Sequence, residues 1–132
     1  MKLDLTALQR ANTSLSEAVT NACDTSFMEA ISESQRKLII AGVIQNFEFT
    51  YELSWKFIKR WLSENVGSTH VDGVTRRELF RLAAQHQLID NVDEWMFFHM
   101  ARNQTSHSYD EKTALEIFDA SKKFALLATQ LL

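Results

Sequence analysis

Proline is absent from this 132-residue chain, and glycine occurs only at Gly42, Gly67 and Gly73. Sheets turn often, and tight turns draw on those two residue types, so the sequence nearly excludes an all-β fold. Long helices with short connections remain. Hydrophobic residues at 45% and charged residues at 23% are globular proportions, and the length fits one domain, residues 1–132, with a core that needs no metal or disulfide.

The setting reads as cytoplasmic. The single Cys23 cannot form an internal disulfide. The opening Met-Lys-Leu-Asp-Leu-Thr has no apolar run behind it, so it does not read as a secretory signal. No stretch approaches the apolar length of a membrane span. In that compartment the sequons at Asn12 and Asn103 are chance matches.

Apolar periodicity places a first helix over residues 3–22, with Leu5, Leu8, Leu15, Ala18, Val19 and Ala22 near one face. Asp24-Thr25-Ser26 interrupts it, and Ser26 with Glu29 has capping-box spacing for a second start. The longest helical signal then runs to about Val66. Ile40, Ile44, Phe47, Tyr51, Ile58 and Trp61 form one stripe on it, while Phe49, Leu53 and Phe57 form another. A helix apolar on two sides needs cover on two sides, and a second copy of the chain is a natural second cover. After the loop residues Gly67 to Gly73, Thr75 with Glu78, Asn91 with Glu94 and Ser108 with Glu111 repeat the capping spacing before three more helices. The pattern predicts an all-α, antiparallel up-and-down bundle of four or five helices.

Net charge is −3, so no global positive field advertises nucleic acid. Basic residues do cluster locally, at Lys56, Lys59, Arg60, Arg76, Arg77 and Arg81, opposed there only by Glu64, Asp72 and Glu78. That stretch suits phosphates of RNA or an acidic partner, and equally the wet face of two helices.

Chemistry concentrates in the polar run Arg102-Asn103-Gln104-Thr105-Ser106-His107-Ser108-Tyr109. In an unbroken helix Arg102 and His107 would point about 140° apart. Convergence on one substrate therefore needs a helix break between them or matching groups from a second copy. With Ser108 as cap, His107 sits at the positive end of the last helix, which favours a neutral imidazole able to act as a base. The same helix start, with Arg102, suits a phosphate. Such a pair is a reasonable minimum for RNA cleavage without a metal. A helix-terminal structural arginine and a solvated histidine would give the same spacing.

Other candidates carry less. His70, His86 and His99 share no metal-ligand spacing with one another or with Cys23, and no phosphate-binding glycine loop is present. Glu48, Glu52 and Lys56 form an i, i+4 ladder, either a solvated face or, on a helix covered on two sides, carboxylates able to pair with Arg102. Trp55, Trp61, Trp95, Phe97 and Phe98 read as packing residues rather than base-stacking ones.

Two segments carry a family resemblance. Ile44-Gln45-Asn46-Phe47-Glu48-Phe49-Thr50-Tyr51-Glu52-Leu53-Ser54-Trp55-Lys56 and the run from Arg102 to Tyr109 resemble the two signatures of the nucleotidyltransferase substrate-binding protein family, a branch of the HEPN superfamily. One position departs, since Asn46 stands where an arginine is common. The resemblance implies a homodimeric helical bundle with a minimal nucleotidyltransferase as partner and no cofactor. It implies an Arg-x4-His ribonuclease motif, here Arg102 and His107, with Asn103 as the polar neighbour. In related toxin–antitoxin pairs the transferase silences the toxin by adding AMP to a tyrosine two residues after the histidine, the position of Tyr109. An older view of the family implies instead a non-catalytic, substrate-binding half of a split nucleotidyltransferase.

Overall fold

The computed structural model describes residues 4–131, and among them there are helices and turns but no strand. The α-helices are α1 (Thr6–Cys23), α2 (Thr25–Ala30), α3 (Glu33–Leu62), α4 (Arg76–Gln85), α5 (Val92–Asn103) and α6 (Glu111–Leu131). Leu3, where the periodicity begins the first helix, lies outside the described residues. The described residues form six α-helices rather than four or five because the segment after α1 is broken at Ile31, which is extended.

Capping chemistry sets the starts. Thr75 and Asn91 accept the backbone N–H of Glu78 and Glu94, as their spacing predicts. The other two expected caps are displaced. Asp24, not Ser26, opens α2 by accepting the Phe27 N–H. Asp110, not Ser108, accepts the Thr113 N–H at 3.1 Å at the start of α6. In both cases a nearby aspartate takes the role that the serine was expected to hold. Ser32 and Gln35 form a reciprocal capping box at α3. The Arg36 guanidinium holds the carbonyls of Met28 and Ile31, which fastens the α2–α3 corner.

α3 is the spine, about 45 Å long at 1.5 Å per residue. It ends in a π-type turn over Ser63–Gly67, where Gly67 takes φ +119°, a conformation that favours glycine. α1 runs antiparallel to α3: Thr50 donates to the Ala11 carbonyl, while Ser14 donates to Asn46. Asn46 thus ties α1 to the spine at the position where the family resemblance expects an arginine. α5 is also antiparallel to α3, since Tyr51 meets His99 while Glu48 meets the later Arg102.

The core closes around Phe124 of α6, whose ring meets Phe47, Tyr51, Trp95 and Phe98 at centroid distances of 5.1–6.0 Å, all in edge-on geometry. Leu53, Phe57, Trp55 and Trp61 are half-buried against this core. The second stripe of α3 is therefore covered within the chain, except at Phe49, which is 58% exposed. Phe97 lies outside the core and is exposed on α5. No helix among the described residues is long and apolar enough to cross a membrane.

Candidate active site at the end of α5

The last turn of α5 carries Arg102, where a cation complements the helix dipole. Its half-buried guanidinium faces α3. Nε lies 3.2 Å from Glu52 Oε1, and Nη1 lies 3.9 Å from Glu48 Oε2. Nε is buried yet its N–H is not in line with an acceptor, so the Glu52 contact is an ion pair rather than a hydrogen bond. Nη1 donates to Thr105 Oγ1, which itself donates to the Arg102 carbonyl at 2.8 Å. Thr105 is buried and so fixes the arginine from the far side of the helix end.

α5 stops at Asn103, and a 3-10 turn over Thr105–His107 follows. The break falls between Arg102 and His107. Beyond it, His107 and Tyr109 are exposed with ring centroids 6.0 Å apart, and Tyr109 is 85% exposed. No hydrogen bond or ion pair joins the Arg102 and His107 side chains. The premise that His107 sits directly before the α6 cap is corrected by Asp110. Its carboxylate, with Thr113 donating to it from both N–H and O–H, already fills the helix start and is held below its ordinary pKa by those bonds.

Tyr109 borders a groove of about 630 Å³ between α3 and α6, lined also by Lys37, Ile44, Glu48, Phe49 and Leu115. Glu48 therefore belongs both to the groove and to the Arg102 cluster.

Behind Arg102 lies a second polar group. Tyr51 Oη is 2.9 Å from His99 Nδ1 and accepts a hydrogen bond from Arg76 at 3.0 Å. His99 Nε2 is 3.4 Å from the Asn103 amide. The Arg76 guanidinium stacks on Trp55 at 3.7 Å from the ring centroid. The Trp55 indole N–H in turn donates to Glu52 Oε2. Burial pushes the Tyr51 phenol up to about 12, against the opposing pull of Arg76. Burial lowers the His99 pKa, as do Arg76 and Arg102, while Glu52 opposes them.

The structure separates Arg76 from the rest of the basic cluster. Arg76 turns inward, Arg77 pairs with Asp93 at 3.3 Å, and Lys56, Lys59, Arg60 and Arg81 are exposed. Among the described residues, no group of three or more His, Cys, Asp or Glu side chains is arranged to hold a metal ion.

The family model for nucleotidyltransferase substrate binding protein like chains matches residues 3–132. The chain belongs to that family. A relative named probable ribonuclease HepT, from Haemophilus influenzae, is 31% identical over 132 residues, covering 99% of this chain and 90% of the relative. A solved Haemophilus influenzae structure, described as revealing the fold of a substrate-binding domain of a nucleotidyltransferase, superimposes with a TM-score of 0.93. It is 29% identical, with 97% of this chain and 96% of that one covered. A crystal structure of a Thermus thermophilus protein gives a TM-score of 0.74 at 26% identity, with 94% of both chains covered.

Within this member of the nucleotidyltransferase substrate-binding family, sequence reasoning missed the Tyr51–His99–Arg76 group. Tyr51 reads as one more apolar position on its stripe, yet a buried tyrosine needs a partner for its hydroxyl. His99, four residues before Asn103, was the available signal.

Proposed function

We propose that this chain is a HEPN ribonuclease toxin. It is a cytoplasmic, metal-independent endoribonuclease that acts as a homodimer and is held in check by a partner minimal nucleotidyltransferase. What carries the reading is the broken α5 end, with Arg102 braced before the break and His107 and Tyr109 displayed beyond it. The relative named probable ribonuclease HepT supports it.

In the proposed reaction His107 accepts the proton of a ribose 2′-hydroxyl, whose oxygen attacks the adjoining phosphorus. Arg102 stabilises the charge developing on the phosphorus oxygens. The 5′-oxygen leaves and takes a proton from solvent, giving a 2′,3′-cyclic phosphate and a 5′-hydroxyl end. No hydrogen bond or ion pair joins Arg102 and His107 within one copy, and in this reading the matching groups of a second copy complete the site. The groove with its exposed Phe49 and Leu115 is the face proposed to receive that copy. AMP attached to the exposed Tyr109 would place negative charge and bulk beside His107 and block RNA.

A second reading rests on one feature: Arg102 is already engaged by Glu48 and Glu52. In it the chain is a non-catalytic substrate-binding subunit, and Arg102 with His107 contacts a nucleotide phosphate. Incubating purified protein, checked by intact mass for an unmodified Tyr109, with total cellular RNA separates the two. Cleavage by the parent and none by Arg102→Ala or His107→Ala supports the ribonuclease; no cleavage by the parent supports the subunit.

A further inference from the structure

Two chains of side-chain contacts start at Arg76 and end on consecutive residues of the candidate site. The first runs from Arg76 through Tyr51 and His99 to Asn103. The second runs from Arg76 across the Trp55 ring, through its indole N–H to Glu52, and on to Arg102. Arg76 belongs to α4, Tyr51, Glu52 and Trp55 to α3, and His99, Arg102 and Asn103 to α5. Three helices therefore converge on one end of α5.

The direction of the first chain follows from Arg76. A guanidinium only donates, and Arg76 Nη1 lies 3.0 Å from Tyr51 Oη and 3.4 Å from His99 Nδ1, so a proton on Nδ1 would face that guanidinium and Nδ1 is left to accept from the Tyr51 hydroxyl. The imidazole then carries its own proton on Nε2. The atom 3.4 Å from Nε2 is the Asn103 amide nitrogen Nδ2, and two N–H groups cannot face each other. A half-turn of the amide about its last side-chain bond exchanges its nitrogen and oxygen, and in that orientation Oδ1 accepts the Nε2 proton. Charge agrees with this arrangement. His99 is faced by the cations Arg76 and Arg102 and by the anion Glu52, so a second proton on the ring would meet two guanidiniums.

We infer that His99 is a positioning residue, a neutral imidazole locked in the Nε2–H form by Tyr51 and Arg76, which sets the orientation of Asn103 beside Arg102. The inference deepens the ribonuclease reading and rests on it for its catalytic consequence. Its structural content does not depend on that reading. Arg76, on this account, is an anchor for the site rather than a surface contact for RNA.

The test has two arms, both on the full chain. Imidazole nitrogen NMR of the parent is expected to show His99 with Nε2 protonated and Nδ1 bare. Tyr51→Phe is expected to release the ring to a tautomer mixture and to shift the Asn103 side-chain amide signal. In RNA cleavage, Tyr51→Phe is expected to lower kcat about tenfold with KM within about twofold, the mark of lost orientation rather than lost binding. His99→Gln, which keeps an N–H donor near the Nε2 position, should retain more kcat than His99→Leu. Circular dichroism checks that each variant is folded.

A parent with Nδ1 protonated, or an unmoved Asn103 signal in Tyr51→Phe, overturns the inference whatever the activity. A released tautomer with undiminished kcat also overturns the positioning role, as does equal kcat in the two His99 variants. If the parent cleaves no RNA, the ribonuclease reading fails by itself. The claim that His99 orients Asn103 is then decided by the NMR arm alone.

Discussion

Arg102 Nε sits 3.2 Å from Glu52 Oε1, so the cation of the Arg-x4-His motif is paired to the spine helix before any substrate arrives. Both side chains are about one-third exposed, 31% and 34%, so water screens the pair and its worth to stability is modest. Glu52→Gln is expected to cost about 0.5–1 kcal/mol in urea unfolding. Its effect on RNA cleavage should be larger in proportion, because the guanidinium loses one of the two carboxylates that set its place. Equal wild-type kcat in the variant would show that the pair does not aim Arg102.

Phe124 tests whether the bundle has one core. Its ring is fully buried and meets four other aromatic rings from α3 and α5. Phe124→Ala is expected to cost about 3–5 kcal/mol by removing packing and leaving a cavity. A loss below about 1 kcal/mol, read from denaturant midpoints, would mean that the surrounding rings collapse into the space.

The proposed dimer face makes its own prediction. Leu115 is 49% exposed and lines the α3–α6 groove together with Phe49. Leu115→Glu would place a charge in the centre of an apolar contact. Light scattering should report a dimer for the parent and a monomer for the variant, with circular dichroism unchanged. A monomeric parent would remove the two-copy site.

Much of this was legible in the chain, and the failures have local causes. Thr75 and Asn91 announce their helices by standing three residues before a glutamate, and each accepts that glutamate's N–H. Ser26 and Ser108 have the same spacing, yet Asp24 stands two residues before the first and Asp110 two residues after the second, and these aspartates take the N–H groups. Spacing identifies a helix start without choosing between nearby oxygen acceptors. The approach of Glu48 and Glu52 to Arg102 was foreseeable, since the carboxylates share one face of α3 at i, i+4. The Tyr51–His99–Arg76 group was not, because it needs three helices to meet and no local pattern encodes their register.

The α6 start offers a pH test. Thr113 holds the Asp110 carboxyl below its ordinary 3.8 through two hydrogen bonds to the charged form. A carboxyl depressed in the folded state stabilises fully above its unfolded pKa, and that stability is lost as pH falls through the folded value. Asp110→Ala should therefore lower Tm at neutral pH, while Ser108→Ala should leave it unchanged. The gap between parent and Asp110→Ala should narrow below about pH 4. A constant gap would place the effect in packing rather than in the cap.

His99 should give the second pH signature, at a higher pH. Its folded pKa is lowered, first by burial and then by Arg76 and Arg102, against the ordinary 6.5. The unfolded chain therefore takes up the proton first as pH falls. The stability linked to a neutral His99 is complete above about pH 6.5 and drains away as pH drops from there through the folded value. Replacing the ring removes that slope, so the Tm of His99→Gln should fall less than that of the parent between about pH 7 and pH 5. The two groups separate cleanly, because Asp110 titrates lower and its slope survives in the His99 variant. Parallel Tm curves for parent and His99→Gln over that window would mean that His99 takes its proton equally well in the folded chain, and that the guanidiniums facing it do not hold it neutral.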